Sequence, residues 1–285
     1  MRHIQAHRPR RSRMRMTVVI AASVLMLGAT ASAQALSNTC AASATEMQPT
    51  AVGGNVSILV YHRFGVEVSD SMTIRLSTFE WQLQYLNEHH YRIVPLRNVV
   101  AYLRGEGPAP SPCSVVITVD DGHESVFTDM LPTIRESRVP VTVFVYPSAI
   151  SNAPYAMTWR QLEVLRDSGL VDIQSHTYWH PNFAIEKRRL SQSAYGQFAR
   201  MQLCKSKAVL GDRLDVDANL LAWPFGIYDD ELADVARACG YEAGFTLERR
   251  RIIATDPIMA LPRFLVTDTA VGDRFQAMLP PDASR

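Results

Sequence analysis

Short runs of β-forming residues, each followed by a helical stretch, recur along most of this chain, and that alternation restricts the fold more than any other feature. The strands read as SILVYH (57–62), CSVVITVD (113–120), VPVTVFVY (139–146), VDIQS (171–175), NLLAW (219–223), EAGFT (242–246) and PRFLV (262–266). Residues 139–146 are the richest of these in β-branched side chains. Between them, Ser77-Thr78-Phe79-Glu80 and Thr158 to Gln161 have the spacing of a capping box. Further helices are predicted from Pro95 to near Gly105, after Gly122 to Ser137, over 188–210, and from an Asp229 cap to Cys239-Gly240. Strands alternating with helices at this spacing form βαβ units around a parallel sheet. Seven or so units, with no Gly-x-Gly-x-x-Gly turn, favour an α/β fold of distorted parallel (β/α)7-type barrel, a single catalytic domain.

Composition agrees with a globular domain, at 47% hydrophobic and 20% charged residues. The formal charge of +1 conceals an uneven distribution. Residues 1–33 hold six arginines and no acid, so the 29 basic and 28 acidic residues become 23 and 28 beyond them, a net charge of about −5. That balance argues against a nucleic-acid partner. The N-terminus reads as an export signal: an Arg-rich stretch, the apolar run MTVVIAASVLMLGA, then Ala31-Ser32-Ala33 as a small-x-small cleavage site. The apolar run is short of the roughly 20 residues that span a bilayer. A secreted or periplasmic protein with no stable membrane span after cleavage is expected, a retained anchor being the lesser option. The expected divisions are a signal peptide over 1–33, a flexible connector over 34–55, a domain over 56–275 and a tail over 276–285. Cys40, Cys113, Cys204 and Cys239 include no C-x-x-C pair, which argues against a thiolate zinc site. An oxidising compartment permits one or two disulfides.

In a parallel barrel, functional groups gather at the C-terminal ends of the strands. The predicted strand ends carry His62, Asp120-Asp121, His176 with His180, and Pro224-Phe225. His-x-x-x-His alone is a weak metal signal, and loop histidines bonded to carbonyls are the ordinary alternative. An aspartate from a neighbouring strand end makes a three-ligand set with open positions, the catalytic rather than the structural pattern. A cation also explains why two carboxylates sit side by side: it removes their mutual repulsion. Gly122 supplies the sharp turn that lets both look into one pocket. Asp121 would then ligate, leaving Asp120 as general base. His89 and His90 suit a helix end, His123 a helix start, and Glu124 and Asp129 a first helical turn.

These motifs resemble those of the polysaccharide deacetylases, metal-dependent carbohydrate esterases. Thr118-Val119-Asp120-Asp121-Gly122 matches their T-F-D-D-G motif and His176-Thr177-Tyr178-Trp179-His180 their H-[ST]-x-x-H motif. The resemblance covers roughly residues 55–270. A narrower one, to the deacetylases of poly-β-1,6-N-acetylglucosamine, rests on Leu59-Val60-Tyr61-His62-Arg63-Phe64, Met157-Thr158-Trp159 and Ala222-Trp223-Pro224-Phe225-Gly226.

The resemblance implies Asp120 as base, Asp121, His176 and His180 as metal ligands, His62 as acid in its protonated form, and the Phe225 N–H as oxyanion donor. It implies one divalent metal ion, zinc first, with nickel, cobalt or iron as alternatives. The arginine usual in the family's third motif is replaced by Ala222, and Arg263 is the candidate to orient Asp120 instead. Tyr155, Tyr178, Trp179, Phe225 and Tyr228 are aromatic candidates for a sugar wall, of which Trp179 and Phe225 are preferred, with Tyr61 as a further substrate contact. The expected activity is removal of N-acetyl groups from an N-acetylglucosamine polymer, in contact with exopolysaccharide export or synthesis machinery. Peptidoglycan, chitin oligomers or O-acetylated xylan are rival substrates, and a non-catalytic carbohydrate-binding relic is the rival class.

Overall fold

A computed structural model of the chain describes residues 56–281, so the expected signal peptide and connector lie outside the described residues. In chain order the elements are β1 (Val56–Tyr61), β2 (Arg63–Gly65), β3 (Thr73–Arg75), α1 (Leu76–Glu88), β4 (Arg92–Ile93), α2 (Leu96–Leu103) and β5 (Ser114–Val119). A π-helical turn, Val126–Met130, runs into α3 (Leu131–Ser137), followed by β6 (Val141–Val145), α4 (Trp159–Asp167), β7 (Val171–Ser175), α5 (Phe183–Arg189) and α6 (Gln192–Leu214). The chain continues through β8 (Leu220–Ala222), α7 (Asp230–Ala238), β9 (Ala243–Phe245), β10 (Phe264–Leu265) and α8 (Asp273–Gln276).

Eight strands form one parallel sheet, seven of them in the order β10-β1-β5-β6-β7-β8-β9 and β4 paired with the start of β5 off this path. The sheet curls until its edges meet at one point: Phe245 of β9 bridges Leu261, three residues before β10. There Leu261 donates to Gly244 O and Thr246 to Leu261 O, both at 2.8 Å. This is the curled (β/α)-barrel expected from the alternation. All residues of β1, β5 and β6 are buried, as a parallel sheet covered on both faces requires.

Strand parity divides the core. Leu59, Tyr61, Ile117, Val119, Val143 and Val145 pack in one cluster with Phe79 of α1, Ile134 of α3 and Leu162 of α4. Ile58, Val116 and Phe144 fill the concave side with Ala222, Phe245 and Leu261. The Phe144 and Phe245 rings lie 5.6 Å apart although β6 and β9 are not neighbours in the sheet. Side chains alternate strictly along a strand, so even positions of β1, β5 and β6 look into the barrel and odd ones onto the helices.

Several local expectations are modified. Thr158 and Gln161 form both bonds of a capping box, but Ser77 and Glu80 do not, because α1 begins two residues earlier, at Leu76. Asp268 serves that end from 193 residues away, accepting from the Arg75 N–H and the Thr78 hydroxyl at 2.9 Å each. The helix expected over 188–210 is two helices, broken at Leu190 and restarted by a Ser191 cap. Strands β2, β3 and β4 were not evident in the sequence; each has only two or three residues. The boundary expected at residue 275 is corrected: Met278 and Leu279 are buried in the helix-side cluster, and Arg251 donates to Leu279 O at 2.8 Å.

Cys204 of α6 and Cys239 at the end of α7 form a disulfide, and Cys113 is also disulfide-bonded. The Cys204–Cys239 bond closes a loop of 35 residues. Replacing both cysteines by serine should lower stability by about 2–4 kcal/mol, read as an earlier urea midpoint. An unshifted midpoint would mean that packing of α6 on α7 alone fixes this pair.

Candidate metal centre and active site

The site begins where β5 stops. Asp120 still extends the ladder, its N–H bonded to Tyr61 O at 2.9 Å. The next two residues turn left-handed, Asp121 at φ 74° and Gly122 at φ 75°. A Cβ on Gly122 would lie 2.9 Å from Val145 Cγ1, so glycine is needed there for space as well as conformation. Aspartate tolerates the left-handed region better than most side chains. The turn therefore starts one residue earlier than expected, and it re-aims Asp121, which regular alternation would send toward the helices. Thr177, His180 and Phe225 share this conformation. Among the described residues, four of the nine non-glycine residues with positive φ thus lie at this rim, the concentration of backbone strain characteristic of functional sites.

Asp121, His176 and His180 converge, their nearest donor atoms all within 4.8 Å of one another. Asp121 Oδ1 is 3.6 Å from each histidine Nε2. Donors 2.0–2.1 Å from one tetrahedral ion lie about 3.4 Å apart, so the group fits a small divalent cation with little adjustment. His176 is buried at the end of β7, and its Nδ1–H donates to Ala222 O at 2.7 Å. That bond fixes the tautomer with the Nε2 lone pair facing Asp121, the usual outer support of a metal-binding histidine. His180 sits on the loop beyond, its ring between Tyr146 (centroids 5.3 Å) and Phe225 (4.7 Å). Burial and the neighbouring His176 push its pKa down to about 4 against the pull of Asp121 and Asp120, which keeps the ring neutral, as a ligand must be.

Asp120 is almost fully buried and has a different partner. Arg263, with no exposed surface, grips it bidentately, Nη1 to Oδ1 at 2.8 Å and Nη2 to Oδ2 at 2.7 Å. The same guanidinium donates to Thr246 O and Thr118 Oγ1 and lies 5.4 Å from the Phe144 ring. Burial alone would raise the Asp120 carboxyl, but Arg263, with His176 and His62 nearby, outweighs it and holds the pKa at about 2. Asp120 Oδ2 is 3.9 Å from His176 Nε2, beside the three-ligand group.

His62, one residue past β1, is largely buried, and its Nδ1 has no hydrogen-bond partner among the described residues. Burial lowers its pKa against the opposing fields of Asp120 and Asp121. The protonated resting ring expected from the sequence is therefore disfavoured, because its desolvation outweighs the two carboxylates. Phe225 is exposed at the rim. Gly226 N–H bonds Trp223 O and Ile227 N–H bonds Pro224 O, and the Phe225 N–H donates to neither carbonyl. Trp179 is half-exposed, but it leans on Phe198 of α6, centroids 5.7 Å apart. Tyr61 as a substrate contact is corrected: it occupies an odd position, faces the helices at 1% exposure, and donates to Gln82 Oε1 at 2.9 Å. Tyr146 was not singled out, although it stands at the end of β6 as His176 stands at the end of β7. The strand-end criterion that selected the histidines would have found it.

Residues 107–244 match the family model described as polysaccharide deacetylase. The chain is 25% identical over 198 residues to the poly-β-1,6-N-acetyl-D-glucosamine N-deacetylase of Staphylococcus epidermidis, covering 67% of each protein. Among solved structures it resembles IcaB from Ammonifex degensii, with 25% identity, a TM-score of 0.69, and 79% of this chain and 97% of that one covered. The deacetylase PplD of Streptococcus pyogenes, solved with acetate, shares the fold with a TM-score of 0.70 at 21% identity, covering 79% of this chain and 98% of its own. The chain carries a polysaccharide deacetylase domain with sequence similarity to the poly-β-1,6-N-acetylglucosamine N-deacetylases.

Proposed function

We propose that this is an exported, metal-dependent hydrolase that removes N-acetyl groups from an N-acetylglucosamine polymer of the poly-β-1,6-linked kind, releasing acetate. The observation that carries the reading is the pairing of a three-ligand Asp-His-His group with a second carboxylate, Asp120, held ionised beside it by Arg263. Carbohydrate binding alone would not require a buried ionised carboxylate next to a metal site. Similarity to deacetylases of the β-1,6-linked polymer supports that substrate. The Arg-rich and apolar N-terminal sequence supports export. Among the described residues no helix is long and apolar enough to cross a membrane.

Asp121, His176 and His180 would hold the cation, and two nitrogens with one oxygen suit zinc first. Bound there, it supplies Lewis acidity, lowering the pKa of a coordinated water from about 15.7 toward about 7 and polarising the acetamide carbonyl. Asp120 takes the proton of the attacking water. Arg263 keeps that carboxylate ionised and aimed, acting through Asp120 as a positioning residue. The Phe225 N–H donates to the oxygen that becomes negative, a contribution typically worth about 2.7–4 kcal/mol. As the C–N bond breaks, the proton that Asp120 took from water reaches the departing amine, with His62, protonated in that step rather than at rest, as the acid that delivers it. Acetate and a free amino sugar are the products.

Acetate release should stop on chelation and return with stoichiometric zinc, and it should be greatest on poly-β-1,6-N-acetylglucosamine among acetylated glycans. Faster release from peptidoglycan, chitin oligomers or acetylated xylan would reassign the substrate; none from any glycan after reloading would leave only the binding relic. Asp120→Asn should lower kcat by about 10²–10⁴-fold with metal content unchanged, measured by single-turnover assay and elemental analysis. Loss of the metal instead would exchange the roles of the two aspartates.

Arg263→Met leaves a buried carboxylate without its cation and should cost about 3–5 kcal/mol at pH 7. Asp120 has a folded pKa of about 2 against 3.8, so the stability it contributes is present above pH 4 and disappears as pH falls through 2. In the variant, burial raises the same pKa and reverses that slope. The stability gap between the two proteins should therefore narrow from pH 7 to pH 3 in urea titrations, and a constant gap would remove the ion pair as its cause.

A further inference from the structure

The exposed aromatic side chains among the described residues are Tyr155, Trp179, Phe225 and Tyr228. All four lie on loops leaving the C-terminal ends of β6, β7 and β8. Of these, Tyr155 has the most firmly built setting. The loop leaving β6 folds back onto the loop that carries Asp121: Met157 donates to Gly122 O at 3.0 Å, and Glu124 to Tyr155 O at 2.8 Å. His123 and Ala156 form an antiparallel bridge between the same segments. Tyr155 is thus fixed relative to the Asp121 loop by backbone bonds at its own carbonyl and at Met157, two residues beyond.

Its side chain is supported in the same way. The Tyr155 ring lies nearly parallel to the His123 imidazole, centroids 6.2 Å apart and planes inclined by 14°. His123 Nδ1 accepts from the Ser125 N–H at 3.1 Å and lies 2.9 Å from its hydroxyl. That hydroxyl oxygen already accepts from the Phe64 N–H, so its proton is directed at His123 and the imidazole is held still. The Tyr155 hydroxyl meets that of Tyr146, whose ring packs 5.3 Å from His180. A continuous arc of rings, His123–Tyr155–Tyr146–His180, therefore runs from the loop of one metal ligand to the side chain of another. Yet Tyr155 remains 40% exposed. A ring needed only for packing would not be left open after being anchored so thoroughly.

We propose that Tyr155, with Tyr146, forms a saccharide subsite beside the metal centre and takes the pyranose unit next to the one that loses its acetyl group. This rests on the reading of the substrate as an N-acetylglucosamine polymer. A pyranose presents an apolar C–H face and a rim of hydroxyls that both donate and accept. The Tyr155 ring matches the face, and two phenols sharing one hydrogen bond keep an O–H to donate and lone pairs to accept. The consequence is a preference for chain over monosaccharide that resides in the loop after β6.

The test compares Tyr155→Ala, Tyr155→Phe and Tyr146→Phe with the parent, all metal-loaded and carrying Asp120→Asn so that ligand is not consumed. Binding of β-1,6-linked N-acetylglucosamine oligomers of one to five units is measured by calorimetry. Tyr155→Ala should weaken the pentamer by about tenfold, the size expected for losing one stacking aromatic, with the deficit shrinking as the oligomer shortens to the monosaccharide. The two phenylalanine variants, which keep the rings, should weaken it by about threefold each. Metal content and melting temperature should match the parent. Pentamer binding that is equal in Tyr155→Ala and the parent, or a deficit independent of length, overturns the subsite, as does a parent that binds no oligomer. Acetate release by the chain with Asp120 intact tests the activity separately, so failure of the subsite is distinguishable from failure of the proposed reaction.

Discussion

A carboxylate can stay ionised in the wall of a packed barrel only if a cation is buried with it, and the pairing of Asp120 with Arg263 meets that condition. Isolated burial of a charge costs several kcal/mol even after relaxation. Here both carboxylate oxygens and three guanidinium nitrogens are satisfied, by each other, by Thr246 O and by Thr118 Oγ1. The pair also has an architectural consequence. Arg263 lies just before β10, beyond β1 from β5, yet it reaches Asp120 and Thr118 at the end of β5 and Thr246 just past β9. The two edges of the sheet meet through a single bridge at Leu261. Arg263 therefore also bonds across the seam where backbone pairing is thinnest, through its Nε to the Thr246 carbonyl, so the guanidinium that orients Asp120 helps hold the curl closed.

Strand parity explains what the sequence made visible. Asp120 follows Val116 and Thr118 on the even, inward-facing side of β5, so its place in the mouth of the barrel follows from the strand assignment. Asp121 would have faced the helices on the same rule, and only its left-handed backbone brings it to His176 and His180. The expectation that both acids share a pocket was legible because Gly122 advertised a turn; that Asp121 itself would take the strained conformation was not. Tyr61 shows the rule applied too loosely. It stands beside His62 at a strand end, but its odd position commits it to the cluster of Phe64 and Phe79, and position along a strand without parity does not distinguish the two.

What remained hidden depends on contacts between residues far apart in the chain. Ser77 to Glu80 carries a good local capping pattern, but Asp268 offers a carboxylate to the residues just before it and the helix starts there instead. No local pattern reports a partner 193 residues away. Arg263 was identifiable only as an arginine that could replace the one missing at Ala222, and its complete burial could not be read from the composition of its neighbours. Ala222 contributes nonetheless through its backbone, since its carbonyl fixes the His176 tautomer. A backbone carbonyl leaves no mark on residue identity, which is why the support of this candidate metal ligand is invisible in the sequence while the histidine itself is plain.

The two histidines are held by different means, and the difference bears on how substrate and chemistry meet. His176 is fixed by a buried hydrogen bond at a strand end, as Asp120 is fixed by Arg263, and neither is in reach of a rearranging loop. His180 belongs to the loop. Its backbone is tied by the Thr177 hydroxyl, and its ring is steadied by Tyr146 and Phe225, the first half-buried and the second exposed. A glycan pressed against either ring therefore bears on His180 before it bears on His176 or Asp120. Under the proposed function, variation in the rim loops can thus change which polymer is accepted and shift His180, while Asp120 and His176 stay where the sheet puts them. Under the proposed function, a fold with its candidate base on a strand and its candidate sugar contacts on loops can alter substrate without rebuilding the reaction.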